Sequence, residues 1–531
     1  MAESGKVKAR FSKLDGERKQ HLERARHCAS LTVPHVLPPQ GSTPNEQLPT
    51  PYQSMGARAA NNLAAKFWMT LLPPDQPFFK LALSAQTKQE LKQAGDQVQE
   101  SDIRSALADI ENVILESIEH KGLRSPAFRA VLNLVITGNA LVYIPSGNED
   151  HHKPKTGYGM KVFRLDDYVV VRDTLGNLVE IITRESCAYS ALEEDVQEKI
   201  RSQMPAGEDG GPSQDTEVEL YTQVLRKSAD KFEVKQEAAG VSLEDKGGEV
   251  KEENLPWMAL RWTQDGDYGR GPVEEYLGDL QSLESLSQAI VEGSLAAAKV
   301  VFLNNPNGQT RTRAISRARN CDFVSGRPED VQALQVEKVH DFKIASQTKN
   351  EIEQRLSYAF LINSAIQRNA ERVTAQEIRY MAEELEDAQG GIYSILAQEF
   401  QLPLVKLLWN QLTDQKAVPK LPDAAVAPQI TTGLEALGRN HKMAKLRNFL
   451  QDIAVLGEQV VAEYIKPSEY MTRAAENYGL EIEGLVRSEE EVQKNRQQQM
   501  QQQAMQEAGP KVAQEATKGV MNNGQTAEAE E

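Results

Sequence analysis

Apolar residues recur at helical spacing over long stretches of the chain, most clearly after residue 373. From there an apolar position follows every three or four residues, which predicts one helix with a narrow apolar stripe: Ile378, Met381, Leu385, Ala388, Ile392 and Ile395. Thr374 and Glu377 form a Ser/Thr-x-x-Glu capping box, in which each side chain binds a backbone amide of the first turn. Up to Pro403 this helix would extend about 43 Å at roughly 1.5 Å per residue. We expect so long a helix with so narrow a stripe to pack along one side only.

The same spacing predicts helices over residues 11–28, 56–72, 101–119, 127–136 and 433–465. Another is expected over residues 272–299, because Pro272 suits the first helical position. Its acidic side chains should face solvent or a wet channel, and its small residues should let a neighbouring helix approach closely. Gly390 and Gly391 should bend the long helix. Residues 419–428 are typical of a linker, and the Gln- and Glu-rich residues 488–531 indicate a partly disordered tail.

After Gly138 the hydrophobic period changes to that of strands. Residues 140–262 are predicted to form a strand-rich module, with a hairpin at residues 175–177 and exposed loops over residues 204–216 and 238–253. Strands at residues 300–303, 321–324 and 331–336 would make a small αβ knob between two long helices. The fold class predicted is therefore α+β, predominantly helical. Because such a knob has little core of its own, we expect neighbouring copies to complete it.

Composition narrows the classes of function. The net charge is −17, with 60 Lys and Arg against 77 Asp and Glu, which argues against a protein that coats nucleic acid. Cys28, Cys187 and Cys321 are widely separated and suit a reducing compartment. The charged N-terminus indicates no secretory signal, and no apolar stretch reaches the roughly 18 residues that indicate a membrane span.

Signatures of catalysis and of metal binding are missing from the sequence. It contains no GxxxxGK[ST] phosphate loop and no HExxH, GxSxG or CxxC motif. We therefore predict a protein that is not an enzyme, with no catalytic residue, no cofactor and no metal site. His151 and His152, beside Asp150, are interpreted as a solvated pair, and Asp166 and Asp167 as residues at the edge of a strand.

Arginines concentrate at two places. Four lie in the knob: Arg311, Arg313, Arg317 and Arg319. They either form surface salt bridges, including pairs with acids of a neighbouring subunit, or contact nucleic-acid phosphates or an acidic protein. Arg368 and Arg372 lie in the polar residues 363–373, before the capped helix. These two are either exposed loop charges or, if the loop projects into a channel, contacts to DNA.

Five motifs together resemble one known family. YGRGPVEEYLGDLQSLE (268–284), DFVSGRPEDV (322–331) and RLSYAFLINSAIQRNAERVTAQEIRYMAEELEDAQGGIYSILAQEFQLPLV (355–405) are similar to the head-to-tail connector, or portal protein, of short-tailed podovirus bacteriophages. GARAANNLA (56–64) and GLEALGR (433–439) extend the resemblance. It covers most of the chain and is weakest in the acidic insertions at 190–255 and in the Gln-rich tail.

The resemblance implies a ring of twelve subunits around an axial channel for double-stranded DNA, each with a wing, a helical stem, a clip and a crown. It assigns residues 1–271 to the wing, 272–299 and 342–362 to the stem, 300–341 to the clip and 363–373 to a tunnel loop. Residues 374–427 would form a long wing helix and a linker, residues 428–487 the crown, and residues 488–531 the tail. Thr374 and Glu377 would then cap the helix that supports the tunnel loop.

The resemblance also implies that the ring occupies the portal vertex of the virion capsid, initiates procapsid assembly in the host cytoplasm, and passes DNA during packaging and ejection. The partners implied are further copies of the chain, the terminase large subunit, tail or adaptor proteins, and the major capsid and scaffolding proteins, with no membrane. A non-enzymatic scaffold or internal virion protein is the alternative, because long helices and a Gln-rich tail suit it as well. A nucleotide-driven motor subunit is disfavoured by the missing phosphate loop.

Overall fold

The computed structural model describes residues 5–43, 45–73, 77–84, 87, 100–145, 159–204, 213–264, 266–298, 301–334, 339–362, 391–420 and 426–430. These residues all belong to one compact unit, Met1–Gly433. Their fold is mixed α+β and about half helical. Within these ranges no helix combines the length and the apolarity that crossing a membrane requires. The helix predicted over residues 433–465 and the Gln-rich tail lie outside the described residues.

The helices predicted over residues 56–72, 101–119 and 127–136 are confirmed as α3 (Met55–Leu71), α4 (Glu100–His120) and α5 (Arg124–Thr137). The single helix expected over residues 11–28 is instead two helices, α1 (Lys6–Glu17) and α2 (Lys19–Ser30). The apolar stripes of α2 to α5 meet in the main core, where Leu63 and Phe67 of α3 and Ile114 of α4 are fully buried. The helical spacing of the sequence is therefore confirmed over this part of the chain, because each stripe has an apolar surface to bury against.

A six-stranded antiparallel sheet follows, built from β4 (Tyr168–Arg172), β5 (Leu178–Ala188), β6 (Glu217–Ser228), β7 (Lys231–Ala238), β8 (Val241–Ser242) and β9 (Gly248–Lys251). The hairpin predicted at residues 175–177 is confirmed between β4 and β5. The exposed loop predicted over residues 238–253 is wrong in part, since β8 and β9 both pair with β7. Helix α6 (Glu194–Ile200) was not expected either. Most of the loop predicted over residues 204–216 lies outside the described residues.

The two faces of this sheet are covered differently. Helix α1 lies on one face, where Phe11 packs with Val169 and Ile182, and where Arg10 pairs with the nearly buried Glu180 at 2.8 Å. The other face joins the main core through residues such as Phe232 and Val224. The sheet is thus an integral layer of the fold, because both of its faces are packed.

A second, three-stranded sheet positions the turn-rich residues 266–271, here called the hinge, which precede the helix that begins at Pro272. It consists of β10 (Trp257–Arg261), β2 (Asn139–Tyr143) and β3 (Lys161–Phe163). Asn139 donates from Nδ2 to the Gly269 carbonyl and accepts from the Gly269 N–H, both at 2.9 Å. Gly138 has φ of 76°, and a Cβ there would lie 2.5 Å from both the Gly269 oxygen and the Gly271 nitrogen. Only glycine at residue 138 lets the hinge approach β2 so closely.

Two long helices then form an antiparallel pair. The first is α7 (Pro272–Glu275) continued by α8 (Leu277–Ala298), and the second is α10 (Val339–Ala359). Leu280 and Leu283 are buried on the first helix, as are Ile352 and Leu356 on the second. A Cβ at Gly293 would overlap the Phe342 ring, which confirms that a small residue permits close approach.

The acidic residues of the first helix are less solvent-facing than we expected. Asp279 pairs with Arg355 at 3.1 Å, and Glu274 lies 3.6 Å from Arg24. Glu284 accepts backbone hydrogen bonds from residues 52 and 53 just before α3. Asp279 therefore joins the two long helices, and Glu274 and Glu284 join the first of them to other elements, whereas Glu275 and Glu292 are exposed.

The last described elements are α11 (Ile392–Leu396), a π-helical turn (Ala397–Gln401), α12 (Leu402–Asp414) and β13 (Val426–Ile430). Gly391 has φ of 96°, a left-handed conformation directly before α11. The bend predicted at the glycine pair also involves residues before 391, which lie outside the described residues. Pro403 lies in the first turn of α12, and the π turn before it lets the helix continue past a residue that has no N–H. The linker predicted over residues 419–428 is wrong at its end, because β13 pairs with β1 (Phe79–Leu83).

Candidate functional site

The knob, residues 301–334, lies between the two long helices in the sequence. The strands predicted at residues 300–303 and 331–336 are confirmed as β11 (Val301–Asn304) and β12 (Val331–Leu334), which pair antiparallel, and the short helix α9 (Thr312–Arg317) lies between them in the sequence. The strand predicted at residues 321–324 is wrong. Cys321 has φ of 70°, a left-handed conformation that interrupts an extended strand.

Hydrogen bonds around one carboxylate hold the knob together. Asp330 accepts from the N–H groups of Gln309 (2.9 Å) and Thr310 (3.1 Å) and from the Thr310 hydroxyl (2.9 Å). That hydroxyl in turn accepts from the N–H of Arg327 at 2.8 Å. These hydrogen bonds, led by that of Thr310, hold the pKa of Asp330 below its ordinary value. These buried hydrogen bonds thus hold together the chain segments before and after α9.

Apolar side chains of the knob face outward. Phe323 is fully exposed, and Phe302 has 68% of its surface exposed. Ile315, Leu303 and Val324 are exposed as well. So much exposed apolar surface on so small a structure is typical of a surface that another molecule covers.

The four predicted arginines of the knob are brought together around α9. Arg313 and Arg317 lie on α9, Arg311 immediately precedes it and Arg319 follows it, and all are exposed. Within the described residues none of them forms a salt bridge. The described knob contains five arginines and three acidic residues, so it is basic within a chain of net charge −17. Arg311, Arg317 and Phe323 line a shallow groove of about 550 Å³.

At the other end of α10 the chain leaves the helix through a Schellman turn. Ile362 donates its N–H to the Ser357 carbonyl at 2.8 Å, and Leu361 donates to the Tyr358 carbonyl at 3.2 Å. Leu361 has φ of 53°, in a position that glycine usually occupies. Two side chains of α3, Asn62 and Lys66, bind the carbonyls of this turn.

Several predicted site residues lie outside the described residues: Arg368, Arg372, Thr374, Glu377, Asp150, His151 and His152. Asp166 and Asp167 are described, and they occupy a short 3₁₀ turn directly before β4. Both lie close to Arg164, at 3.3 and 3.2 Å. Burial, and then the neighbouring Asp166, raises the pKa of Asp167, so this pair belongs to a structural ion cluster.

Comparison with known proteins decides the family. Residues 4–485 match the family model described as bacteriophage head to tail connecting protein. The chain therefore belongs to this family. The predictions of a portal-type connector, of a structural and non-enzymatic protein, and of a place at the portal or neck of the virion are confirmed.

Relatives of this connecting protein span nearly its whole length. It is 38% identical to the portal protein of Escherichia phage T7 over 95% of this chain and 92% of that protein. It is 39% identical to the portal protein of Enterobacteria phage T3 over 92% and 89%. A solved chain from the neck of a native gene transfer agent particle is similar over 79% of this chain and 88% of its own, at 11% identity and a TM-score of 0.35. That last likeness is too weak to add to the sequence relationship.

Sequence patterns pointed to the arginines of this connecting protein but not to the residues that position them. Asp330 and Thr310 lie in turns, where polar residues are expected, and nothing in their spacing marked them as buried. Lys66 is different, because it falls within the apolar stripe of α3, three residues after Leu63. A charged residue at such a position is a signal that its charge is bound inside the protein.

Proposed function

We propose that this connecting protein forms a closed ring of twelve copies at one capsid vertex, around an axial channel through which double-stranded DNA enters during packaging and leaves during ejection. Family membership supports this proposal. The observation that carries it is the exposed apolar surface of the knob and of the adjoining helix, including Phe302, Phe323 and Leu295. Neighbouring copies arranged around an axis would bury that surface and complete the knob.

In such a ring, residues 1–271 form the wing, 272–299 and 342–362 the stem, 300–341 the clip and 363–373 the tunnel loop. Residues 374–427 form the long wing helix and the linker that follows it. Pairing of β13 with β1 favours an extension of the wing to residue 430, so the crown begins at residue 431 rather than 428.

Negative-stain electron microscopy of the purified full-length protein tests the assembly. We expect closed rings with a central hole. The double variant Phe302→Ser/Phe323→Ser should form fewer rings, whereas Leu175→Ser, which alters an exposed leucine in the hairpin of the six-stranded sheet, should assemble normally. Monomers or filaments of the unaltered protein would instead favour a scaffold or an internal virion protein.

The ring is further proposed to initiate procapsid assembly with the major capsid and scaffolding proteins, to dock the terminase large subunit, and later to hold tail or adaptor proteins. Arg311, Arg313, Arg317 and Arg319 are the residues proposed to contact these partners at the clip. Their exposure and the lack of salt bridges in the described chain support this role. An acidic protein surface fits them, because arginine forms bidentate hydrogen bonds to carboxylates.

Charge reversal tests the arginines. Phage that carries Arg313→Glu/Arg317→Glu should assemble rings but package less DNA or attach fewer tails. Arg58→Glu/Arg129→Glu reverses two exposed charges outside the knob and is the matched control. Equal packaging and tail attachment by the two double variants would remove the arginines from this role.

For the tunnel loop, Arg368→Ala/Arg372→Ala should reduce retention of packaged DNA, and unchanged retention and ejection would refute a contact to DNA.

A further inference from the structure

The end of α10 is bound by side chains of a helix almost 300 residues earlier in the sequence. Asn62 of α3 donates to the carbonyls of Phe360 (3.0 Å) and Leu361 (3.1 Å), and the Lys66 ammonium donates to the Leu361 carbonyl at 2.8 Å. Lys66 is only 3% exposed. Burying an ammonium group requires strong compensation, and here its donors meet the carbonyl end of a helix.

Helix geometry explains why this end accepts a buried cation. The last carbonyls of an α-helix have no partner within the helix, and they form its partially negative pole. Leu361 is in addition a left-handed non-glycine residue, an unfavourable conformation that persists only where the surroundings hold it. Asn62 and Lys66 supply that restraint, since they bind the carbonyls of Leu361 and of the residue before it.

The same helix, α3, also binds α11 and the π turn that follows it. The Tyr393 ring stacks on Phe67 of α3 with centroids 5.5 Å apart and an interplanar angle of 25°. Gln401, fully buried, donates from Nε2 to the Leu71 carbonyl at the end of α3 at 2.7 Å. Contacts to both sides of segment 363–390 therefore come from one short stretch of α3, residues 62–71.

We propose that α3 positions both the end of α10 and the start of α11, and that Asn62 and Lys66 are the positioning residues at the end of α10. A displacement of α3 moves the points at which the segment begins and ends together, since both are bound to one rigid helix. The consequence for DNA rests on the proposed role of Arg368 and Arg372, which lie in that segment. The positioning itself does not depend on that role.

Asn62→Asp tests the positioning in the full-length ring, with Asn61→Asp as the matched control. The substitution keeps the shape of Asn62 but replaces its donor with a carboxylate that repels two carbonyls. Asn61 is exposed, is adjacent on α3, and among the described residues its side chain binds the Ala57 carbonyl within its own helix. Both variants change the charge equally, so they differ only in the contact to α10.

Limited trypsin digestion followed by mass spectrometry compares cleavage after Arg368 and Arg372 with cleavage after Arg313 and Arg317, which lie beyond the far end of α10. For Asn62→Asp we expect the ratio to rise about tenfold over the control, because the loss of the hydrogen bonds to Phe360 and Leu361 favours local opening of this turn. Equal ratios in the two variants overturn the proposal. If Asn62→Asp does not form rings, Asn62→Ala against Asn61→Ala makes the same comparison without added charge.

DNA retention in phage that carries these variants separates this proposal from the proposed function. A higher cleavage ratio with reduced retention supports both. A higher ratio with unchanged retention supports positioning by α3 and removes Arg368 and Arg372 from the contact to DNA.

Discussion

Glu399 is the residue whose replacement tests the packing of the long helix most directly. It lies in the π turn before α12, and its carboxylate accepts from Nε of Arg261 at 3.0 Å and from the Arg261 backbone N–H at 3.2 Å. Arg172 lies 3.8 Å from the same carboxylate. The side chains of Arg261 and Arg172 are only 5% and 6% exposed. One carboxylate thus stands between two buried guanidinium groups that come from two different sheets.

Glu399→Gln removes the negative charge and keeps the size of the side chain. Burial already lowers the pKa of Arg172, and Glu399 is the largest influence that opposes this shift. Without Glu399 the two guanidinium groups retain only carbonyl acceptors, such as Gly176 for both and Ala259 for Arg172. Removing one partner from a buried ion pair costs about 3–5 kcal/mol. Because glutamine still offers one acceptor, we expect about 3 kcal/mol, or roughly a 100-fold change in a local opening constant.

Hydrogen exchange followed by mass spectrometry measures this opening in the assembled protein. Peptides that contain residues 257–263 should exchange roughly 100-fold faster in Glu399→Gln. The control is Glu249→Gln, which breaks the exposed pair between Lys231 and Glu249 and should cost below about 1 kcal/mol, less than roughly sixfold in exchange. If the two variants protect residues 257–263 equally, the ion cluster does not hold β10 against the π turn and the reasoning is refuted.

Three further predictions use matched variants. Gly138→Ala should lower the free energy of unfolding, measured by chemical denaturation, by about 3 kcal/mol or more, because the added Cβ meets backbone atoms in a left-handed conformation. Gly266→Ala is the control: this residue is also left-handed but lies in open space, so the change should cost only about 1–2 kcal/mol. Asp330→Asn should speed hydrogen exchange at Gln309 and Thr310 more than Asp322→Asn does. Since the pKa of Asp330 is lowered, the same protection in the unaltered protein should be present above pH 3.8 and be lost as the pH falls through that lowered pKa. Burial, followed by Arg24, Arg18 and Arg270, lowers the pKa of His21 to about 4, so the unfolded chain binds a proton between pH 6.5 and 4 that the folded chain does not. When the pH is lowered from 7 to 4.5, the denaturation midpoint should therefore fall less in His21→Gln than in His35→Gln, a control at an exposed histidine. Equal decreases in the two variants would contradict a lowered pKa of His21.

Local periodicity predicted much of the fold. Helices α3, α4 and α5 have bounds within a few residues of those expected, because each buries one continuous apolar stripe. Failures occurred where a distant partner determines the structure. Strand β13 forms because β1, more than 300 residues earlier, offers it an edge, and β8 and β9 form because β7 does so. The strand expected at residues 321–324 has no such partner within the described residues, and its apolar side chains are exposed instead.

The candidate site, like the fold, was predicted from the sequence only in part. Clustered arginines are visible in any sequence, and the structure places those of the knob together on its surface. The groups that fix their position are polar residues whose partners are distant or irregular, and periodicity gives them no signal.

Hydrophobic periodicity gives no role to polar residues that lie within apolar stripes. In this chain such residues form hydrogen bonds between elements that are distant in the sequence. Lys66 and Gln401 are both buried, and each binds a backbone carbonyl of a segment about 300 residues away. Asn139, at the start of a buried strand, binds the hinge at Gly269 through two hydrogen bonds. Apolar burial does not depend on direction, so it would tolerate small shifts between elements. A buried donor loses its compensation if its acceptor moves, so these few residues determine the register between elements that the apolar stripes only bring together.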